Sequence, residues 1–261
     1  MTSSSPLWTT EAAGDAAGAP LVVVVHGSMD RSASFAKVQR RLAGFRVVRY
    51  DRRGYDHSVD AWVADGVDGH VDDLLAVLDG RRATVVGHSF GGVVALAAAQ
   101  RAPEVVRSVL AFEAPMPWAP WWPARSAGSA ALAGGTATPA EAAERFVRTL
   151  AGDRFWERLP ARVRALRQAE GAALVAEMRA LRTGTAPFDS TTITVPVVAG
   201  RGTESVERHR RATAELAATA PRGELMTIEG AAHGAHLSHP DAFADLVRLA
   251  VRRVGVAERT P

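Results

Sequence analysis

The chain has 261 residues, a formal net charge of +3 and no cysteine, so disulfides, thiolate metal sites and a cysteine nucleophile are excluded and one large α/β core is affordable. Its basic residues are dispersed arginines, with Lys37 the sole lysine, a pattern that argues against a nucleic-acid partner. Residues 1–19 lack the basic and apolar regions of a leader and the apolar run at 22–25 is too short to span a bilayer, so a cytoplasmic protein without membrane insertion is expected.

Residues 12–19 are rich in Ala and Gly and read as flexible or hairpin-like, leaving room for only short early strands. The first strong strand is expected at 21–25, ending in His26-Gly27-Ser28-Met29 before a helix over 32–43. A second strand at 45–50 ends in Asp51-Arg52-Arg53-Gly54, and a helix follows over 68–79. The third, at 83–87, runs directly into Gly87-His88-Ser89-Phe90-Gly91 and an alanine-rich helix over 90–102. A fourth strand at 108–112 leads to Glu113. Between residues 114 and 189 there is no convincing strand but a series of short helices. Thr138-Pro139-Ala140-Glu141 is a capping box with Phe146, Val147 and Leu150 on one face, and Leu174, Val175, Met178 and Leu181 keep helical spacing up to Gly184. Strands at 193–199 and 224–228 alternate with helices at 206–219 and 240–253, the last led by Pro240. This alternation predicts an α/β fold with a mostly parallel twisted sheet, and apolar runs without strict period-2 alternation predict helices on both faces.

Ser89 is the candidate nucleophile. A strand that becomes a helix within about two residues crowds its neighbours, so Gly87 and Gly91, with Gly92 behind, remove Cβ atoms where backbones nearly touch. The pattern Gly-x-Ser-x-Gly is short, and its weight comes from context: a His-Gly loop after one strand, Asp-x-Arg-Gly after the next and the serine after the third. Together these resemble the α/β-hydrolase family over nearly the whole chain. The resemblance implies core regions at 1–113 and 190–261 and a helical cap, or lid, at 114–189. Asp51, Arg52 and Arg53 resemble a family signature that would brace its loop by an internal ion pair.

A serine hydroxyl needs a base. His233, in Gly230-Ala231-Ala232-His233, resembles the family's histidine before the C-terminal helix and has the better spacing to Pro240; His236 and His239 lie close by, with His236 read as a packing or pocket residue. His88 is read as a neighbour packed beside the elbow, and His57, His70 and His209 as solvated. The family's usual acid follows the penultimate strand, where this chain has Ser205; Glu204 is one residue off that register. Glu113 is favoured, because a carboxylate ending a buried strand is costly unless paired and some family members, certain haloalkane dehalogenases among them, carry a glutamate there. Backbone amides of Ser28 and Phe90 would form the oxyanion hole.

A serine at the elbow excludes the family's epoxide-hydrolase and dehalogenase chemistries, which need a carboxylate nucleophile. The expected activity is hydrolysis of carboxylic esters, with lactones or thioesters as variants and a hydrophobic group in a pocket built from His26, Met29, Trp118, Trp122 and Trp156. The same triad admits an acyltransferase, a perhydrolase or a C-C bond hydrolase, and the fold admits a slow-turnover, receptor-like binding protein. No metal cluster is visible, and Gly91-Gly92 and Gly134-Gly135 lack dinucleotide spacing, so no cofactor is expected. The partner is a small ester-like molecule, the protein a monomer or homodimer.

Overall fold

Runs of β-branched and aliphatic residues form the sheet. The computed structural model describes residues 7–14, 18–61, 66–133 and 138–257; Gly134-Gly135 and part of the Ala/Gly stretch before the first strong strand lie outside them. In chain order the elements are β1 (Thr9–Ala12), β2 (Leu21–Val25), α1 (Ala36–Gln39), β3 (Arg46–Tyr50), α2 (Gly66–Leu78), β4 (Ala83–His88), α3 (Phe90–Arg101) and β5 (Val106–Phe112). Among the described residues five α-helices follow before the next strand: α4 (Ala127–Leu132), α5 (Pro139–Ala151), α6 (Asp153–Arg158), α7 (Ala161–Ala169) and α8 (Gly171–Ala180). The chain then returns through β6 (Val197–Gly202), α9 (Glu207–Thr219), β7 (Gly223–Ile228), α10 (Ala235–Ser238) and α11 (Pro240–Ala257).

The strands lie in the order β1-β3-β2-β4-β5-β6-β7, parallel throughout except for β1, which pairs antiparallel with β3 at the edge. Strand order reverses at β2, so the loops leaving the carboxyl ends of β2 and β4 diverge there and open a crevice. Alternate residues of one strand serve two cores. Val23, Val25 and Val85 pack with α2, α3 and α9, whereas Val22, Val24 and Val86 pack with α1 and α11. The continuous apolar runs therefore arise from burial on both faces.

Several boundaries differ from expectation, and two of the differences have a local cause. The helix expected over 32–43 is a 3₁₀ turn, Ser32–Phe35, continued by one turn of α1, and Gly44 at φ 87° leads the chain into β3. The strand expected from 193 begins at Val197, because Pro196 has no N–H to add to the ladder; Ile193 and Val195 are buried all the same.

The five helices of the insertion have a core of their own, with Ala143, Phe146, Trp156, Leu174 and Met178 at its centre and Met29 and Tyr55 reaching in from the β2 and β3 loops. Thr138 caps α5 through a reciprocal bond pair with Glu141, as its sequence predicts. Among the described residues no helix is long and apolar enough to cross a membrane.

Candidate active site

Four loops at the carboxyl end of the sheet converge, and the first is the turn from β4 into α3. Ser89 stands at its apex with φ 54° and ψ −122°, a conformation strained for a residue with a Cβ. Its amide donates to the Phe112 carbonyl at 2.9 Å and its carbonyl accepts from Gly92 at 2.8 Å. The glycines on either side have no room for a side chain. A Cβ on Gly87 would lie 2.3 Å from the Gly91 carbonyl oxygen, and one on Gly91 would lie 2.1 Å from that of Val25.

The second loop follows β5, where Glu113 is wholly buried and also left-handed, at φ 50°. One carboxylate oxygen, Oε2, lies 2.7 Å from His233 Nδ1. The other accepts from the Ser205 hydroxyl and from the Gly202 amide at 3.1 Å. Burial alone would raise this carboxyl; the hydrogen bond and charge of His233, with Ser205 and Gly202, outweigh it and hold the group below its ordinary value. Ser205, at the register where the family's acid is expected, thus supports the carboxylate that Glu113 supplies. Glu204 is exposed, and its amide donates to the Ala231 carbonyl.

His233 comes from the third loop, after β7. Its ring stacks on His209, 4.7 Å between centroids and 28° between planes, and Trp122 meets His209 edge-on at 5.6 Å. His88 Nε2 donates to the His233 carbonyl across 2.8 Å, fixing the backbone that carries this imidazole.

The loop after β2 is held from beneath. His26 Nδ1 lies 2.8 Å from the Gly27 carbonyl, and its Nε2 accepts from the Arg52 amide at 2.9 Å, an arrangement that needs a neutral ring. Burial and then the Arg52 charge push the His26 pKa down to about 3, consistent with that tautomer. The Arg52 guanidinium, with no exposure, donates to the His26 and Gly27 carbonyls at 2.9 and 3.0 Å and pairs with Glu177 of α8 at 2.5 Å. Glu177 also accepts from the Ser28 hydroxyl at 2.5 Å and from Tyr55 at 2.9 Å. The amides of Ser28 and Phe90 make no hydrogen bond to the backbone among the described residues.

Ser89, His233, Phe90, Ser28, Met29 and Trp122 all line one cavity of about 530 Å³ between sheet and insertion. Its walls are largely apolar, with Phe146, Val147 and Met178 from the insertion, and the half-exposed Leu150, Phe155 and Leu237 also line it.

Three residues expected in the pocket are elsewhere. His26 is buried behind the β2 loop and positions it. Trp118 packs edge-on against Phe188 at 5.6 Å and onto the sheet core, and Trp156 fills the insertion's own core. The histidines differ too: His57 is surface-stacked on Trp8, but His70 and His209 are buried, because α2 and α9 turn those positions inward. The expected ion pair within Asp51-Arg52-Arg53 is replaced by longer reaches. Arg52 goes to Glu177, Arg53 to Asp73 of α2, and Asp51 accepts from the Ser32 amide at 2.8 Å and lies 2.9 Å from His57 Nδ1. Glu177 was not a sequence candidate; a glutamate beside Leu174 and Met178 on an apolar helix face is the signal that could have found it.

Asp30, His88 and His236 bring one potential ligand atom each within 4.8 Å of one another, as do Glu113, His209 and His233. The second group contains the paired Glu113 and His233 and the His209 ring stacked on His233. In the first, burial would raise Asp30, but the nearby imidazoles, His236 foremost with its Nε2 at 3.4 Å, keep it well below the usual carboxylate range.

An alpha/beta hydrolase family model matches residues 22–246. An uncharacterized protein of Mycobacterium tuberculosis is 36% identical over 104 residues, 38% of this chain and 30% of that protein. A non-heme chloroperoxidase of Kitasatospora aureofaciens is 46% identical over 55 residues, 19% of each chain. The matched stretches thus span about a third or less of these curated relatives. A hydrolase from Pseudomonas aeruginosa superposes with a TM-score of 0.71 at 22% identity, over 94% of both chains, a likeness of fold.

Proposed function

The chain belongs to the alpha/beta hydrolase family, and on that premise we propose that it is a serine-dependent hydrolase of carboxylic esters, including lactones or thioesters, that works through an acyl-enzyme. One observation carries this reading: the buried Glu113 carboxylate lies 2.7 Å from His233 Nδ1, and that imidazole opens onto the same cavity as the strained Ser89. In the proposed reaction Ser89 Oγ attacks the substrate carbonyl while His233 Nε2 takes its proton. Glu113 orients the ring and balances the imidazolium. The amides of Phe90 and Ser28 receive the developing oxyanion, each such donor being worth about 3 kcal/mol in the transition state. His233 returns the proton to the leaving alcohol, and water, activated by the same base, releases the acid. The insertion, 114–189, serves as the lid over core segments 1–113 and 190–261, and its apolar side chains favour a hydrophobic acyl or alcohol group.

Intact-mass analysis after treatment with a fluorophosphonate tests the reading. A single adduct mapping to Ser89, absent from Ser89→Ala, is expected; an unlabelled wild-type protein, or hydrolysis of p-nitrophenyl esters that survives in Ser89→Ala, would overturn it. The similarity of a 55-residue stretch to a non-heme chloroperoxidase favours perhydrolysis as a second reading on the same residues. Peroxide-dependent peracid formation, lost with Ser89→Ala, would distinguish it.

A further inference from the structure

The charged groups of the cavity do not balance. Four ionisable side chains other than the histidines line it: Asp30, Arg167, Arg182 and Arg208. Asp30 faces His236 and His88, and Arg167 is paired with Glu170 at 2.9 Å. Arg182 has only a 3.4 Å contact with the Ser126 hydroxyl. The Arg208 guanidinium has no hydrogen bond and no ion pair among the described residues.

Arg208 is poorly placed for any purely structural role. It sits in the first turn of α9, where the helix dipole disfavours a cation. It is also half-buried, and loss of water pulls its pKa down, with Glu113 opposing. Glu113 is the carboxylate within electrostatic range, yet both its oxygens are committed, to His233 on one side and to Ser205 and Gly202 on the other. The guanidinium thus stands partly desolvated in a mostly apolar cavity with its donors unused, one residue from the His209 ring that stacks on His233. A planar fork of N–H donors in that setting matches a carboxylate in bidentate fashion.

We propose that Arg208, with Arg182 as a second cation in the cavity lining, is the anchor for a free carboxylate on the substrate, so that this enzyme hydrolyses esters or lactones of hydrophobic acids bearing a second, anionic carboxyl group. The proposal rests on the serine-hydrolase reading and narrows its substrate class. The apolar wall takes the carbon skeleton, the arginine takes the remote carboxylate, and the two together set which carbonyl faces Ser89.

The test compares mono-p-nitrophenyl glutarate with p-nitrophenyl 5-methylhexanoate, in which an isopropyl group replaces the carboxylate, on wild type, Arg208→Met and Arg208→Lys. A charge-assisted contact of this kind corresponds to a preference of about ten- to a hundredfold. Wild type is expected to favour the glutarate ester by that factor in kcat/KM, chiefly through KM. Arg208→Met should abolish the ratio, and Arg208→Lys, which keeps the charge without the fork, should retain part of it. Free glutarate should slow fluorophosphonate labelling of wild type and fail to slow that of Arg208→Met. Labelling at Ser89 with no preference in wild type, or a preference that persists in Arg208→Met, overturns the carboxylate anchor and leaves the serine mechanism standing. Absence of both labelling and ester hydrolysis removes the mechanism and the anchor with it.

Discussion

Glu177→Ala probes the joint between the insertion and the β2 loop. In the folded protein the buried Arg52 guanidinium faces two backbone carbonyls and one carboxylate, and only the carboxylate neutralises it. Truncating Glu177 strands a buried cation, which typically costs about 3–5 kcal/mol. The Tyr55 hydroxyl loses its acceptor as well, for about 1 kcal/mol more. For 261 residues the entropy of unfolding near the midpoint is about 0.55 kcal/mol per degree, so a loss of about 4–6 kcal/mol corresponds to a midpoint lower by about 7–11 °C. Glu177→Gln can keep one oxygen as acceptor for Tyr55 and Ser28, but its amide NH2 then faces the Arg52 donor in place of a carboxylate oxygen, so a shift of at least half that size is expected. Thermal unfolding followed by circular dichroism measures both. Because the Ser28 hydroxyl loses its partner too, residual activity at 25 °C should fall through kcat more than through KM. A Glu177→Ala midpoint within about 2 °C of wild type would refute the reasoning, since Arg52 would then have found water or another partner. Pairing Arg52→Met with Glu177→Met adds a second check: the two changes should be strongly non-additive, the double variant losing less than the sum.

Exchanging Glu113→Gln with Glu204→Gln decides the acid: the first should lower kcat/KM by about 10³–10⁴ in a p-nitrophenyl ester assay, the second by less than about twofold. Folding stability should fall as pH drops below about 6.5. The buried rings of His26, His70, His88 and His209 all have folded-state pKa values depressed first of all by burial, so only the unfolded chain takes up their protons there. Each contributes a slope of about 1.4 kcal/mol per pH unit, continuing for His26 towards pH 3, and a urea midpoint that stays flat from pH 7.5 to 5.5 would contradict this. Gly87→Ala should yield little folded protein, because its Cβ meets backbone at 2.3 Å, whereas Gly234→Ala, with nothing within 4 Å, should fold normally; soluble expression and unfolding midpoints compare the two.

Much of this arrangement is legible from sequence because steric demands leave visible marks. Gly87 and Gly91 are written in the chain because the elbow admits no Cβ, and the strand runs are written as valines because both sheet faces are covered. Directions of side chains are less legible. Trp156 and Trp118 are as apolar as Trp122, yet the first turns into the insertion's core and the second onto Phe188, and residue type alone does not choose among those burials. His209 reads as one polar residue in a highly charged helix, and only the rotation of α9 against the sheet turns it inward onto His233. Partners remote in sequence, such as Arg52 and Glu177, 125 positions apart, leave no local mark at all.

That long-range pair bears on how the proposed oxyanion hole is kept in order. Backbone amides are effective there only if the loop that carries them does not relax when charge develops. The β2 loop carries Ser28, yet its neighbouring carbonyls, at His26 and Gly27, are tied to Arg52 rather than to another strand. Arg52 in turn depends on a carboxylate from α8, and Met178, one residue further along the same helix, lines the cavity. In the proposed reading the insertion therefore roofs the substrate space, and its Glu177 also completes the charge balance beneath the loop. A variant that loosens α8 should impair turnover even for a substrate too small to touch the insertion. Kinetics of Glu177→Gln with p-nitrophenyl acetate examine this directly: a fall in kcat with little change in KM supports a loop held from α8, and an unchanged kcat confines the insertion to the role of a roof.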